Sequence, residues 1–159
     1  MRKIFFFAIL AALFASCSMS KEARNYRNDI AGKWQLQTII SEGIQGTVKT
    51  VLFDEADFNC FIGSNWSFTN NNSLGTYTIS STAGCNPLKR DFRWSIYEAK
   101  NEPKLLQFKR LDSKLKEVDA NSSGFRFTIV EVTSTSMKLK SDFTFEGKPA
   151  AFVYNFIRI

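Results

Sequence analysis

Apolar residues recur at every second position through most of this chain of 159 residues. That period suits a strand with one buried face and does not suit a helix. Lys33–Ile40 places Trp34, Leu36, Thr38 and Ile40 on one face, and Asp91–Tyr97 does the same with Phe92, Trp94 and Ile96. Asn65–Thr69, Gly75–Ser80, Leu105–Arg110, Phe125–Ile129, Met137–Lys140, Phe143–Phe145 and Ala151–Ile157 read as further strands, and Val48–Phe53 is a β-branched apolar run. Polar turn residues separate them, as at Asn70–Ser73, Asp119–Gly124 and Glu146–Lys148. Only Asp54–Cys60 hints at a helical period. Short connections favour antiparallel neighbours, and a meander of this size loses its exposed edges by closing on itself. The expected fold is all-β: one antiparallel up-and-down barrel of about eight strands.

The N-terminus has a different composition. Arg2 and Lys3 precede an unbroken apolar run from Ile4 to Phe14. The run falls short of the ~20 residues that cross a bilayer but fits the ~7–15-residue core of an export signal. Leu13-Phe14-Ala15-Ser16-Cys17 resembles a bacterial lipobox, which implies lipidation of Cys17 and cleavage before it. Residues 1–16 are therefore expected to be a lipoprotein signal peptide and residues 17–29 a flexible tether, with the barrel domain over 30–159. The implied location is the outer membrane, on its periplasmic face or at the cell surface. Loss of Arg2 and Lys3 lowers the formal charge from +6 to about +4, with the remaining cations scattered. The densest basic patch, Lys109-Arg110 with Lys114-Leu115-Lys116, reads as a solvated strand and turn and not as a nucleic-acid stripe.

Three cysteines are odd for an exported protein until Cys17 is assigned to lipid. Cys60 and Cys85 then remain as a pair in an oxidising compartment, and a disulfide is the favoured reading over two buried thiols or two metal ligands. Zinc would lack its usual ligand set, since the chain has no histidine.

Gly32-Lys33-Trp34, at the start of the first strand, resembles the Gly-x-Trp signature of lipocalins. That resemblance implies a tryptophan sealing one end of the barrel and a late arginine over its ring, for which Arg158 is the positional counterpart. The blocks Phe53–Cys60, Gly63–Phe68, Asn70–Asn72, Gly75–Tyr77, Gly84-Cys85, Arg93-Trp94, Leu106–Arg110 and Glu146–Pro149 are similar to a lipocalin-like family of Bacteroidetes lipoproteins, over roughly residues 30–159. The resemblance implies a fold more firmly than a ligand.

Catalytic sets are missing from the sequence. Without histidine there is no Ser–His or Cys–His pair, and no phosphate loop precedes a helix. Asp54-Glu55 with Asp57 is the one carboxylate cluster and reads as a solvated turn or a helix start. The expectation is a protein without enzymatic activity, cofactor, metal or nucleic-acid partner. Nineteen aromatic residues lie beyond residue 16, enough either to line an apolar cavity or to fill a small barrel. If a cavity exists, Trp66, Phe68, Phe92, Trp94, Phe127 and Phe152 are its candidate lining, and a small hydrophobic molecule its ligand. The alternative is an accessory lipoprotein with a filled interior that works through an envelope protein partner.

Overall fold

A computed structural model describes residues 19–46, 49–82, 84–119 and 124–159. Among these residues the order is α1 (Lys21–Ile30), β1 (Gly32–Glu42), β2 (Val51–Leu52), β3 (Ala56–Asp57), a 3-10 turn (Phe58–Phe61), β4 (Asn65–Phe68) and β5 (Leu74–Ile79). Five long strands complete the chain: β6 (Leu88–Tyr97), β7 (Leu105–Leu111), β8 (Phe125–Val132), β9 (Ser136–Phe145) and β10 (Lys148–Arg158). Eight of the strands form a closed barrel in the order β1-β10-β9-β8-β7-β6-β5-β4, and every pairing is antiparallel. The small pair β2–β3 stands outside it, on the long connection from β1 to β4.

The alternation read from the sequence becomes the inside–outside pattern of the wall. In β6, Phe92, Trp94 and Ile96 are buried while Arg93, Ser95 and Tyr97 are exposed. The turn between β9 and β10 has positive φ at both Glu146 (49°) and Gly147 (74°), the hairpin geometry whose twist matches its flanking strands. β1 departs from simple alternation. Its register with β10 shifts between Leu36 and Thr38, so one extra residue is accommodated there. A one-residue bulge reverses every side chain beyond it. Ile39 is consequently buried and Ile40 is 53% exposed, and the expected face of Trp34, Leu36, Thr38 and Ile40 holds only for its first two members.

The second departure is at the N-terminal side. Residues 17–29 are expected to be a flexible tether, yet Lys21–Ile30 is helical. Ser20 caps it by accepting a hydrogen bond from the Ala23 amide at 3.1 Å. Ala23, Tyr26 and Ile30 recur at three- and four-residue spacing, with Ala23 and Ile30 fully buried and Tyr26 partly so against the core. So short an apolar stripe is weak in isolation, and packing against the barrel supplies what propensity does not. The segment expected to be a signal peptide, residues 1–16, and Cys17 lie outside the described residues.

Candidate functional site

The two ends of the barrel are built differently. At the end where β1 begins, Trp34 is fully buried and its indole N–H donates to the Ile30 carbonyl at 2.8 Å, locking the helix under the barrel. The Arg158 guanidinium lies 4.2 Å from the centre of the Trp34 ring and donates to the carbonyls of Asp29 and Ala31 at 2.5 and 3.1 Å. A cation over an indole face contributes roughly 0.5–2 kcal/mol according to its burial. Gly32 makes room for it: φ is +137°, and a Cβ here would stand 2.4 Å from Arg158 Nη1. The three signature residues thus form one sealed end.

Towards the opposite end the lumen is filled from the side. The connection between β1 and β4 inserts Phe53 into the interior, where it is 7% exposed and has φ of 53°. Six rings surround it at centroid distances of 5.1 to 6.2 Å: Phe61, Trp66, Tyr77, Phe108, Phe125 and Phe127. Phe53 therefore stands where a hollow barrel would hold a ligand.

A buried charge network fastens this plug. Arg110 Nη1 donates to the Phe53 carbonyl at 2.5 Å, and the same guanidinium grips the Asp119 carboxylate, Nη2 to Oδ1 at 2.6 Å. Arg90 Nε donates to Glu55 Oε1 at 2.5 Å, and the Tyr77 hydroxyl donates to Glu55 Oε2. Burial, then the Glu55 carboxylate, push the Tyr77 phenol far above its ordinary value, so it stays a donor. The hydrogen bonds from Arg110 hold the Asp119 carboxyl below the usual carboxylate range. Two expectations are corrected here. The Glu55 side chain is 5% exposed and is no part of a solvated turn, while its neighbour Asp54 is 82% exposed. Arg110, expected in a solvated patch, is buried because it is the counter-ion beneath the plug.

The connection is also fixed covalently. Cys60 and Cys85 form a disulfide, with Cα atoms 5.6 Å apart, which ties the 3-10 turn to the chain just before β6. Asp57 caps that turn, its Oδ1 accepting from the Asn59 amide at 2.9 Å. No group of three or more potential metal ligands occurs among the described residues.

Between the connection and strands β8 to β10 the mouth retains a cleft of about 390 Å³. Phe125, Phe127, Phe143, Phe145, Phe152 and Tyr154 supply one side of it, and Ile44 with Lys49–Asp54 the other. Its volume falls in the ~300–1,000 Å³ range of small-molecule pockets. Tyr154 and Ser141 put two hydroxyls on its wall, 3.2 Å apart, and burial pushes the Tyr154 phenol up to about 12. Both therefore remain neutral hydrogen-bonding groups in apolar surroundings.

Of the six candidate lining residues, Phe127 and Phe152 border this cleft. Trp66, Phe68, Phe92 and Trp94 do not; they interlock in the filled interior, with Trp66–Phe92 at 5.7 Å and Phe68–Trp94 at 5.4 Å. The reading from strand alternation missed Phe53, Phe125, Phe143 and Tyr154. Inwardness alone does not distinguish a wall from a stack, and nothing local in Phe53-Asp54-Glu55 signals that this connection turns inward.

A closed eight-stranded antiparallel barrel with one end sealed by a Gly-x-Trp strand and a terminal arginine defines a lipocalin-type binding fold. The lipocalin-like domain family matches residues 30–139, and the chain belongs to that family. Among solved structures, the odorant-binding protein from bovine nasal mucosa aligns over 91% of this chain and 77% of its own, at 9% identity and a TM-score of 0.37. So loose a likeness carries no argument about ligands. No curated protein matches the sequence.

Proposed function

We propose that this protein is a lipid-anchored lipocalin-like protein of the outer membrane, of the Bacteroidetes type, that holds a small apolar or amphiphilic molecule non-covalently at the barrel mouth. The single observation that carries the binding reading is the aromatic cleft of about 390 Å³ beside a lumen already filled by Phe53. The ligand sits outside the plug, its apolar part against Phe125, Phe127 and Phe152 and a polar atom at the Ser141–Tyr154 hydroxyls. Lipidation at Cys17 rests on the Leu13–Cys17 motif and the apolar run before it.

Titration with an anilinonaphthalene dye, alongside native mass spectrometry of protein taken from its own envelope, tests the binding. The wild type is expected to bind the dye, and Ser141→Phe, which fills the cleft, to lose at least ten-fold in affinity with its circular dichroism unchanged. Undiminished dye binding by the variant would place any site elsewhere. A second reading, an accessory lipoprotein acting through protein contacts, draws support from the filled lumen and from Val51 and Phe145, which are 60% and 42% exposed at the cleft. Crosslinking in intact cells that repeatedly captures one envelope protein, with no small molecule retained, would favour it.

A further inference from the structure

The helix ahead of the barrel is not a spacer. Met19 is partly buried against the core, and the Ser20 amide donates to Glu98 Oε2 at 3.1 Å. Lys104 lies 3.7 Å from Glu22 and 3.5 Å from Glu98, joining the helix to the end of β6 and the start of β7. Further along, Arg27 donates to the Asn70 carbonyl at 2.5 Å and the Ser73 hydroxyl at 2.8 Å, with its guanidinium 4.7 Å from the centre of the Trp94 ring. Asn70 in turn donates to Asn28 at 2.7 Å. Every one of these contacts is at the sealed end, and together they fix the chain to the barrel from residue 19 onward.

Chain length then limits where a lipid at Cys17 can root. Cys17 precedes Met19 by two residues, and an extended chain covers at most ~3.6 Å per residue, so the two Cα atoms lie no more than roughly 7 Å apart. The mouth is much farther away. The eleven residues of β1 rise roughly 36 Å along the strand, or roughly 25–30 Å along the axis of a barrel whose strands tilt by 35–45°.

We propose that the anchor clamps the protein to the membrane by its sealed end, so that the phospholipid surface is the partner of that end and the cleft opens towards water. The cleft then exchanges its ligand with the aqueous phase and not with the bilayer beneath. This inference rests on the lipidation of Cys17 proposed above.

The test uses the full-length lipidated protein in phosphatidylethanolamine–phosphatidylglycerol vesicles. Cys60 and Cys85 are paired and the Cys17 sulfur is acylated, so one added thiol can be labelled selectively. Lys100→Cys places a dye at the exposed turn of the sealed end, and Lys148→Cys places one at the mouth. With nitroxide-headgroup lipids, the dye at position 100 is expected to be quenched at least three-fold more than the dye at 148. Inserting about a dozen Gly/Ser residues between Ser18 and Met19 is expected to remove the difference, since a flexible linker of that length reaches roughly 20 Å. Equal quenching in the uninserted protein, with the acyl mass present on Cys17, would overturn the orientation and leave the lipidation standing. A protein whose mass shows no acyl group, and whose vesicle binding is unaltered by Cys17→Ser, would overturn both.

Discussion

Phe53 decides what kind of barrel this is. Its ring completes the interior, touching six others that arrive from the connection itself and from β4, β5, β7 and β8. The backbone accepts two successive left-handed residues, Phe53 at φ 53° and Asp54 at 54°, to deliver it there. Such conformations cost energy in non-glycine residues and persist where surrounding contacts over-determine them. Truncation by Phe53→Ala should cost about 3–5 kcal/mol and leave an apolar void. Urea unfolding measures the loss. Benzene should raise the melting temperature of the variant and not of the wild type, because a dry apolar void of this kind can take an aromatic ring. Trp34 makes a separate test at the sealed end, where Trp34→Ala should also lose about 3–5 kcal/mol. A near-neutral result there would contradict the locking role of its bond to Ile30.

The connection between β1 and β4 is the element in which packing, charge and covalent chemistry meet. Arg110 reaches it from β7 through the Phe53 carbonyl, and Arg90 reaches it from β6 through Glu55. Removing one member of a buried charge set strands the others, which costs more than the set contributes over an apolar equivalent. Arg110→Met should therefore release the plug, seen as faster amide exchange over residues 50–61 while β9 and β10 stay protected. Acid should act on the same point. The folded-state pKa of Asp119 is depressed, chiefly by its hydrogen bonds from Arg110. Its stabilisation is complete above the unfolded carboxylate value of about 3.9 and is lost as pH falls through the lower folded value. Arg110 and Arg90 act on it directly, and Asp54, Glu55 and Tyr77 are the other titratable neighbours of Arg110. Tryptophan fluorescence followed from pH 6 down to pH 2 should change below about pH 4 in the wild type, and that step should be absent in Asp119→Asn, which lacks the titrating carboxylate and should already show the loosened connection at pH 6.

At the scale of the whole barrel, closure was legible in the sequence where side chains alternate and turns are short. Phe92, Trp94 and Ile96 define the wall of β6 without reference to any distant residue. The bulge in β1 was not legible, because the residues from Trp34 to Ile40 carry no glycine to mark a break and the shift is imposed by pairing with β10. The inward path of the long connection was hidden for a similar reason: Phe53 is buried by rings of β4, β5, β7 and β8, and Glu55 is held by Tyr77 and Arg90, all supplied by later strands of the chain. The helix was obscured by its polar composition, since its buried stripe is only Ala23, Tyr26 and Ile30. Closure itself is uneven. β1 shares a long register with β10, Trp34 through Glu42, but pairs with β4 only over Gly32–Gln35. β4 is paired over only four residues on each side, to β1 and to β5, and is thus the weakest seam of the wall; the disulfide lies near it, joining the approach to β4 with the approach to β6. Closing the separation of 25 residues stabilises by roughly 3.5 kcal/mol in the chain-entropy model. Native-state hydrogen exchange should accordingly find β4 the least protected barrel strand and β9 with β10 the most protected. Reduction of Cys60–Cys85 should lower the melting temperature and quicken exchange in β4 before it touches β10. Uniform acceleration around the whole barrel would instead mean that the wall opens as one unit, with no seam to hold.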